Sequence, residues 1–250
     1  MSEPLLHPLD PPGEPLTAAD ALARAGLRER AGAERPYTFL NMIATADGRA
    51  ARDGRTHTLG GAADLALLLE LRAAADAVLV GTGTLRAEGY GQLVRAPARR
   101  ARRAAAGLPE DPLFVVISRG LDVPWDAALF ADPGQPVLVY TGTPGTAPDV
   151  AAPVEVVRLP EATLPTALAD LRTRGVRALL CEGGPTLSRA LLVAGLVDEL
   201  FLTVAALLTG DEREPNIIAG GRLPEDAELT LRWVLRHGDE LFLRYVLAPG

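Results

Sequence analysis

Short apolar runs alternate with polar, glycine-containing turns along most of the chain. Each run is rich in Val, Leu or Phe and is bounded by turn residues, a pattern typical of buried strands. The predicted strands cover residues 37–43, 77–80, 113–117, 136–140, 154–157, 176–180, 199–204 and 241–246.

Leucines at helical spacing separate several of these strands. They predict helices over 64–75 and over 164–174, and a further helix that follows the glycine-rich turn after the strand at 176–180 and runs through Leu192. Strand, turn and helix in succession imply parallel crossovers, whereas the last two strands alternate apolar and polar residues, which suits antiparallel pairing near a sheet edge or a dimer seam. The expected fold class is α/β, with a mixed sheet and ligand sites at the carboxyl ends of the strands.

The N-terminal segment differs from the rest. Residues 1–34 contain five prolines within the first 15 residues and then an alanine-rich helix start capped by Thr17. We predict an N-terminal extension over 1–34, which packs on the protein or contacts a partner, and one main domain over 35–250.

Composition excludes several function classes. At 250 residues and 48% hydrophobic content the chain can bury a large core, and its net charge of −7 opposes nucleic acid and anionic membranes. No apolar run approaches the ~20 residues of a membrane span, and residues 1–30 lack a signal-peptide pattern. We therefore expect a cytoplasmic protein without a nucleic-acid or membrane partner.

Few residues are available for metal or covalent chemistry. Cys181 is the single cysteine and follows an apolar run, so it is interpreted as a core residue rather than a nucleophile. The chain contains no lysine, which excludes Schiff-base chemistry and a P-loop lysine. His7, His57 and His237 are widely spaced, so no metal site is expected, although magnesium held by carboxylates stays open.

Two glycine-rich turns carry the main functional signal. Residues 80–84 (VGTGT) and 181–187 (CEGGPTL) each follow an apolar strand. Glycine lets a backbone approach a ligand closely, and a helix that starts after such a turn aims free N–H groups at it. The pair suggests one phosphate-bearing ligand held from two sides, while chain geometry alone is the alternative for each turn. Arg86 stands where a third glycine of the dinucleotide fingerprint would fall, and no G-x-S-x-G sequence occurs.

Polar side chains accompany these turns. Asp47, Glu88 and Glu182 offer carboxylates near strand ends, which suits a phosphorylated cofactor and a sugar-like substrate. An arginine-rich stretch over 95–112 is interpreted as a solvated helix or loop, with Arg95 as the exception.

Three sets of motifs resemble a known family. Residues 41–49 (NMIATADGR), 71–84 (LRAAADAVLVGTGT) and 182–187 with 197–200 (EGGPTL and VDEL) are similar to the C-terminal reductase domain of the bacterial bifunctional riboflavin-biosynthesis deaminase-reductase. The resemblance covers about residues 35–247. It implies a dihydrofolate reductase-like fold with a mostly parallel sheet flanked by helices, NADPH as cofactor and a homodimer. A single cysteine forbids the zinc-deaminase signature, so a free-standing reductase is implied.

The resemblance also implies roles for individual residues. Ile43 and Thr58 fall on the nicotinamide side, Ser118 and Arg119 at the 2′-phosphate, and Arg72 and Arg95 at the ribose phosphate of the substrate. The remaining cofactor contacts are Gly81, Thr84, Glu88, Gly183, Gly184, Pro185, Thr186 and Leu187. Asn41 and Glu182 are implied substrate contacts.

Asp47 is the candidate catalytic residue, as a polar anchor or a proton relay. Alternatives stay open at three positions: Asp47 as a turn residue, Arg72 as a helix-face ion pair, and Glu88 as a solvated carboxylate. The implied reaction is hydride transfer from NADPH to C1′ of a phosphoribosylamino-pyrimidine, which opens the ribose. The sequence departs from the family pattern at 56–58, 88–91 and 206, so two further hypotheses stay open. The protein is an NADPH-dependent reductase of another heterocycle such as dihydrofolate, or it is a non-catalytic nucleotide-binding protein.

Overall fold

The computed structural model describes residues 3–159 and 163–248. In these residues the strands are β1 His7–Asp10, β2 Tyr37–Thr45, β3 Ala77–Gly81, β4 Leu113–Ile117, β5 Val137–Thr141, β6 Val154–Arg158, β7 Ala178–Cys181, β8 Glu199–Ala205, β9 Leu229–His237 and β10 Glu240–Leu247. The helices are α1 Ala18–Ala23, α2 Ala62–Ala74, α3 Thr82–Ala87, α4 Pro97–Ala105, α5 Leu164–Thr173 and α6 Pro185–Val193, with a 3-10 turn at Ala128–Ala131.

The chain divides into two compact units, each made of separate stretches of sequence. The first unit comprises Met1–Gly26, Thr38–Glu70 and Pro185–Gly250, and the second comprises Leu27–Tyr37 and Leu71–Gly184. The proposed boundary between an extension over 1–34 and a domain over 35–250 stays a prediction.

Strands of the first unit follow the order β1-β9-β10-β8-β2. The β2–β8 pair is parallel, and the pairs β8–β10, β10–β9 and β9–β1 are antiparallel. Both C-terminal segments predicted to suit antiparallel pairing do pair in this way, and they pair with each other, although β8 is also parallel to β2. The apolar runs of the sequence did not predict β1 and β9. The strand β1 is short and pairs along only part of β9.

Strands of the second unit follow the order β7-β3-β4-β5-β6, and every neighbouring pair is parallel. Side chains of β3, β4, β5 and β7 are almost completely buried, as in Val78, Leu79, Phe114 and Leu180, whereas the edge strand β6 is partly exposed. Strands buried on both faces read as continuous apolar runs, which explains why the sequence located them well. The predicted α/β class with a mostly parallel sheet and flanking helices is confirmed.

The arginine-rich stretch contains a helix, α4, as one of the two predicted forms. Arg103 contradicts the interpretation as a solvated segment, because its residue surface is only 2% exposed. Its guanidinium reaches the last turn of α2, donating to the carbonyl oxygens of Ala73 at 2.9 Å and Ala75 at 2.5 Å, and it also donates to Pro109 at 2.8 Å. The arginine-rich stretch, predicted to be solvated, therefore contains one buried charge that is hydrogen-bonded to carbonyl groups.

Within the described residues, none of the helices is long and apolar enough to cross a lipid bilayer.

Candidate active site

The two glycine turns meet in the second unit, because β3 and β7 are neighbours in the sheet. The Gly81 N–H donates to the Gly183 oxygen at 2.8 Å, and the Gly183–Gly184 peptide bond is cis. A Cβ atom at position 184 would lie 2.6 Å from the Thr84 hydroxyl oxygen, and Gly183 has a φ of +89°, which disfavours other residues. Both glycines are therefore required by the local geometry.

A closed polar cluster of Arg72, Glu182 and Tyr90 lies beside these turns. The Arg72 guanidinium donates to both carboxylate oxygens of Glu182, at 2.6 and 2.7 Å, and the Tyr90 hydroxyl donates to one of them at 2.9 Å. The same guanidinium lies 5.5 Å from the centre of the Tyr90 ring, which packs edge-on against Phe114. Bidentate geometry of this kind holds both charged groups in fixed positions.

The cluster is largely buried, with the Arg72 side chain 16% and the Glu182 side chain 5% exposed. Burial opposes the charged form of Arg72, but the charge and hydrogen bonds of Glu182 raise its pKa above the usual range. Burial, and then the negative charge of Glu182, raise the pKa of the Tyr90 hydroxyl well above its ordinary value. Arg72 is thus a cation already balanced by a carboxylate. Sequence reasoning missed Tyr90, since a tyrosine in a loop has no spacing that marks it.

Ser118 and Arg119 follow β4 at its carboxyl end. Ser118 is buried, and its backbone N–H donates to the Tyr140 oxygen at 2.9 Å, whereas Arg119 is exposed. In the part of the chain that the structure describes, the Arg119 guanidinium takes part in no salt bridge or side-chain hydrogen bond. Arg95 is likewise exposed, in the loop before α4. Glu88 ends α3, where its N–H donates to the Thr84 oxygen at 2.9 Å.

Asp47 lies in the first unit, in the turn that follows β2. Its carboxylate accepts hydrogen bonds from the Thr45 hydroxyl at 2.6 Å and from the Gly210 N–H at 2.7 Å, with a longer bond from the Thr209 N–H. These bonds, that of Thr45 first, lower the pKa of Asp47 to about 2. An acid this strong is ionised at neutral pH, so the geometry favours an anchor over a proton relay.

Other predicted cofactor and substrate residues also belong to the first unit. Asn41 and Ile43 are two residues apart on β2, so they share one face, and both are half-buried. Within the described residues, the Thr58 hydroxyl oxygen is buried and has no hydrogen-bond partner. Unpaired buried hydroxyls are uncommon, and a bound ligand is one group that would complete the bonding. Pro185, Thr186 and Leu187 form the first turn of α6.

Asp64, in the first turn of α2, was not identified from the sequence. Its carboxyl is hydrogen-bonded to the Thr203 hydroxyl of β8 and lies near the Glu240 carboxylate of β10, which itself accepts the Gly61 N–H at 2.7 Å. A Cβ atom at Gly60 would lie 2.2 Å from a carboxyl oxygen of Asp64. Burial, with the Glu240 charge adding and the Thr203 bond opposing, raises the pKa of Asp64 to about 6. An aspartate at a helix start normally indicates only a preference for the helix N-terminus, so nothing in the sequence marked Asp64 as a site residue.

Cys181 is completely buried, and burial raises the pKa of its thiol to about 12. Its interpretation as a core residue is confirmed.

A parallel α/β sheet with glycine turns at its carboxyl ends and a charged cluster beside them is typical of reductases that use a nicotinamide cofactor. The model of the RibD C-terminal domain family matches residues 36–243, so the chain belongs to this family.

Two curated relatives support the assignment. The 2,5-diamino-6-ribosylamino-4(3H)-pyrimidinone 5′-phosphate reductase of Archaeoglobus fulgidus is 30% identical over 194 residues, covering 74% of this chain and 87% of that protein. The riboflavin biosynthesis protein RibD of Mycobacterium tuberculosis is 34% identical over 197 residues, covering 77% of this chain and 49% of that protein.

Among solved structures, a pyrimidine reductase-like protein from Corynebacterium diphtheriae matches with a TM-score of 0.77 and 25% identity, over 94% of this chain and all of that one. The deaminase/reductase of Thermotoga maritima has a TM-score of 0.71 at 20% identity and covers 86% of this chain and 57% of that one. The predicted dihydrofolate reductase-like fold is confirmed, and the family is one of reductases.

Proposed function

We propose that this protein is an NADPH-dependent reductase that transfers hydride to C1′ of a phosphoribosylamino-pyrimidine. The observation that carries the proposal is the joined pair of glycine turns, with no room for a side chain at Gly184 beside the Thr84 hydroxyl. A relative named for this class of reaction aligns over 87% of its own length, which supports the same reaction here.

The residues present fit NADPH at three places. Gly184 packs closely against the Thr84 hydroxyl in the turn that we assign to the pyrophosphate, the exposed Arg119 is a planar cation suited to a 2′-phosphate, and the Thr58 hydroxyl oxygen lacks a partner within the described residues. When bound, the cofactor supplies the hydride. The proposed cofactor contacts are Ile43, Thr58, Gly81, Thr84, Glu88, Ser118, Arg119, Gly183, Gly184, Pro185, Thr186 and Leu187.

The proposed substrate contacts are Asn41, Arg72, Arg95 and Glu182. Arg72 is balanced by Glu182, whereas Arg95 is exposed, so Arg95 carries more of the charge that a ribose phosphate requires. We assign Asp47 an anchoring role, because its carboxylate holds the backbone at 209–210. A homodimer in the cytoplasm, with residues 1–34 as an extension of the domain at 35–250, completes the proposal.

The test is steady-state oxidation of NADPH or NADH with three acceptors: the phosphoribosylamino-pyrimidine, the same pyrimidine without its phosphate, and dihydrofolate. We expect turnover with NADPH and the phosphorylated pyrimidine, with a higher KM when the phosphate is absent. Turnover with dihydrofolate alone would replace the substrate in the proposal. Tight NADPH binding without oxidation by any acceptor would instead favour a nucleotide-binding protein.

A further inference from the structure

Asp64 lies beside residues at the carboxyl ends of two parallel strands in the first unit. Thr203, its hydrogen-bond partner, is the register partner of Ile43 across the β2–β8 pair. Register partners on neighbouring strands point to the same face with Cβ atoms about 5 Å apart. The Asp64 carboxyl is therefore bonded to the residue that neighbours Ile43 across this strand pair, and we have assigned Ile43 to the nicotinamide side of the site.

Neighbouring residues restrict the position of the Asp64 carboxyl group. Gly60 leaves no space for a Cβ where the carboxyl folds back over the backbone, and Thr203 is 1% exposed. Within the described residues, the charged group that acts on Asp64 is the Glu240 carboxylate of β10, fixed in turn by the Gly61 N–H. Burial and the nearby Glu240 charge disfavour ionisation of Asp64, so this carboxyl keeps its proton to higher pH than an ordinary aspartate.

Two other carboxyl groups of the proposed site, those of Asp47 and Glu182, act as hydrogen-bond acceptors. Asp47 is a strong acid with several hydrogen-bond donors around it, and Glu182 accepts three hydrogen bonds from Arg72 and Tyr90. Both are acceptors. Asp64 is half-buried and keeps an uncharged form to higher pH than an ordinary aspartate.

We propose that Asp64 is the proton donor of the reduction, giving its proton to the ribose ring oxygen O4′ while hydride reaches C1′. The inference rests on the proposed function. The C1′–O4′ bond breaks with its electron pair passing to O4′, a C1′–H bond forms from the hydride, and an O4′–H bond forms from the Asp64 proton. The substrate is reduced, NADPH is oxidised, and the Asp64 carboxylate regains a proton from water.

The first test compares the wild-type protein with Asp64→Asn, which keeps the size and the acceptor oxygen but cannot donate an acidic proton. We expect kcat to fall by about 100-fold or more, while the Kd for NADPH from fluorescence titration is unchanged. In the wild-type protein kcat should fall about tenfold per pH unit well above pH 6, and this limb should be absent in Asp64→Asn.

Two matched variants should shift the pKa of Asp64 in opposite directions. Glu240→Gln removes the neighbouring charge and should shift the falling limb to lower pH, whereas Thr203→Val removes a bond that stabilises the carboxylate and should shift it to higher pH. Carbon-13 NMR titration of the Asp64 carboxyl in the free protein should show the same order of midpoints, independently of turnover. A purely structural role would not produce these opposed shifts.

The experiments distinguish failure of this inference from failure of the proposed function. If the wild-type protein turns over and Asp64→Asn keeps its kcat and pH profile, the inference is wrong and the proposed function stands. If NADPH binds but is oxidised by neither the pyrimidine nor dihydrofolate, the proposed function is wrong and this inference falls with it. A carboxyl midpoint near pH 4 in the NMR titration would also overturn the inference.

Discussion

Asp64→Asn should make the protein more stable above pH 6, even though it is expected to remove activity. Folding raises the pKa of this carboxyl from 3.8 to about 6, a difference of about two units. One unit corresponds to about 1.4 kcal/mol, so ionised Asp64 opposes folding by about 3 kcal/mol once the pH is well above 6. Asparagine fills the same space without a charge, so this cost disappears.

The sign of the effect follows from proton counts. Between about pH 4 and pH 6 the folded protein binds more protons at this group than the unfolded chain, so stability falls as pH rises through that window and then levels off. Below pH 4 the carboxyl is protonated in both states, and the two proteins should differ little.

Urea unfolding of both proteins from pH 4 to pH 8 measures the difference directly. The gap between the two free energies of unfolding should grow from near zero to about 3 kcal/mol in favour of Asp64→Asn. Glu240→Gln should recover part of the same stabilisation, because it removes the neighbouring charge that raises the pKa. Parallel curves with a constant offset would refute the reasoning, since only a group that titrates differently in the two states changes the gap with pH.

Three further outcomes are expected. Gly184→Ala should weaken NADPH binding by about tenfold or more in fluorescence titrations, because the added Cβ meets the Thr84 hydroxyl. Adding Thr84→Ala to the same chain should recover part of the lost affinity. Equal affinity in all forms would contradict this prediction. Arg119→Gln should raise the Kd of NADPH by about 10- to 100-fold and leave that of NADH unchanged, whereas equal losses would exclude a 2′-phosphate contact. Arg103→Met should lower the free energy of unfolding by about 2 kcal/mol, because the hydrogen bonds to the end of α2 are lost. The control Arg102→Met, at an exposed position, should change the free energy of unfolding by less than about 0.5 kcal/mol. Similar values for both variants would show that burial of Arg103 is unimportant.

The strands β3, β4, β5 and β7 of the second unit could be read from the sequence because they are buried and carry uninterrupted apolar runs. The strand β9 was missed, because residues 229–232 are exposed and arginines interrupt its apolar residues. Arg103 shows the same limit for charges. Four arginines in α4 look equivalent along the chain, and only packing reveals that one of them satisfies the carbonyl groups that end another helix.

The glycine turns of the candidate site were found from local sequence, because the glycines follow apolar strands and precede helices. Tyr90 and Asp64 were missed for a physical reason. Each acquires its chemistry from residues more than ninety positions away, Tyr90 from Glu182 and Asp64 from Thr203 and Glu240. Chemistry that depends on a distant partner leaves no local pattern, whereas chemistry built into backbone geometry does.

The hydrogen bond from Gly81 to Gly183 joins two loops that are a hundred residues apart in the chain. Because each loop fixes the position of the other, substitutions in the two turns should not act independently on cofactor affinity. Residues in direct contact usually show coupling energies of about 0.5–3 kcal/mol in double-mutant cycles. Evolution or engineering of either loop is therefore constrained by the other.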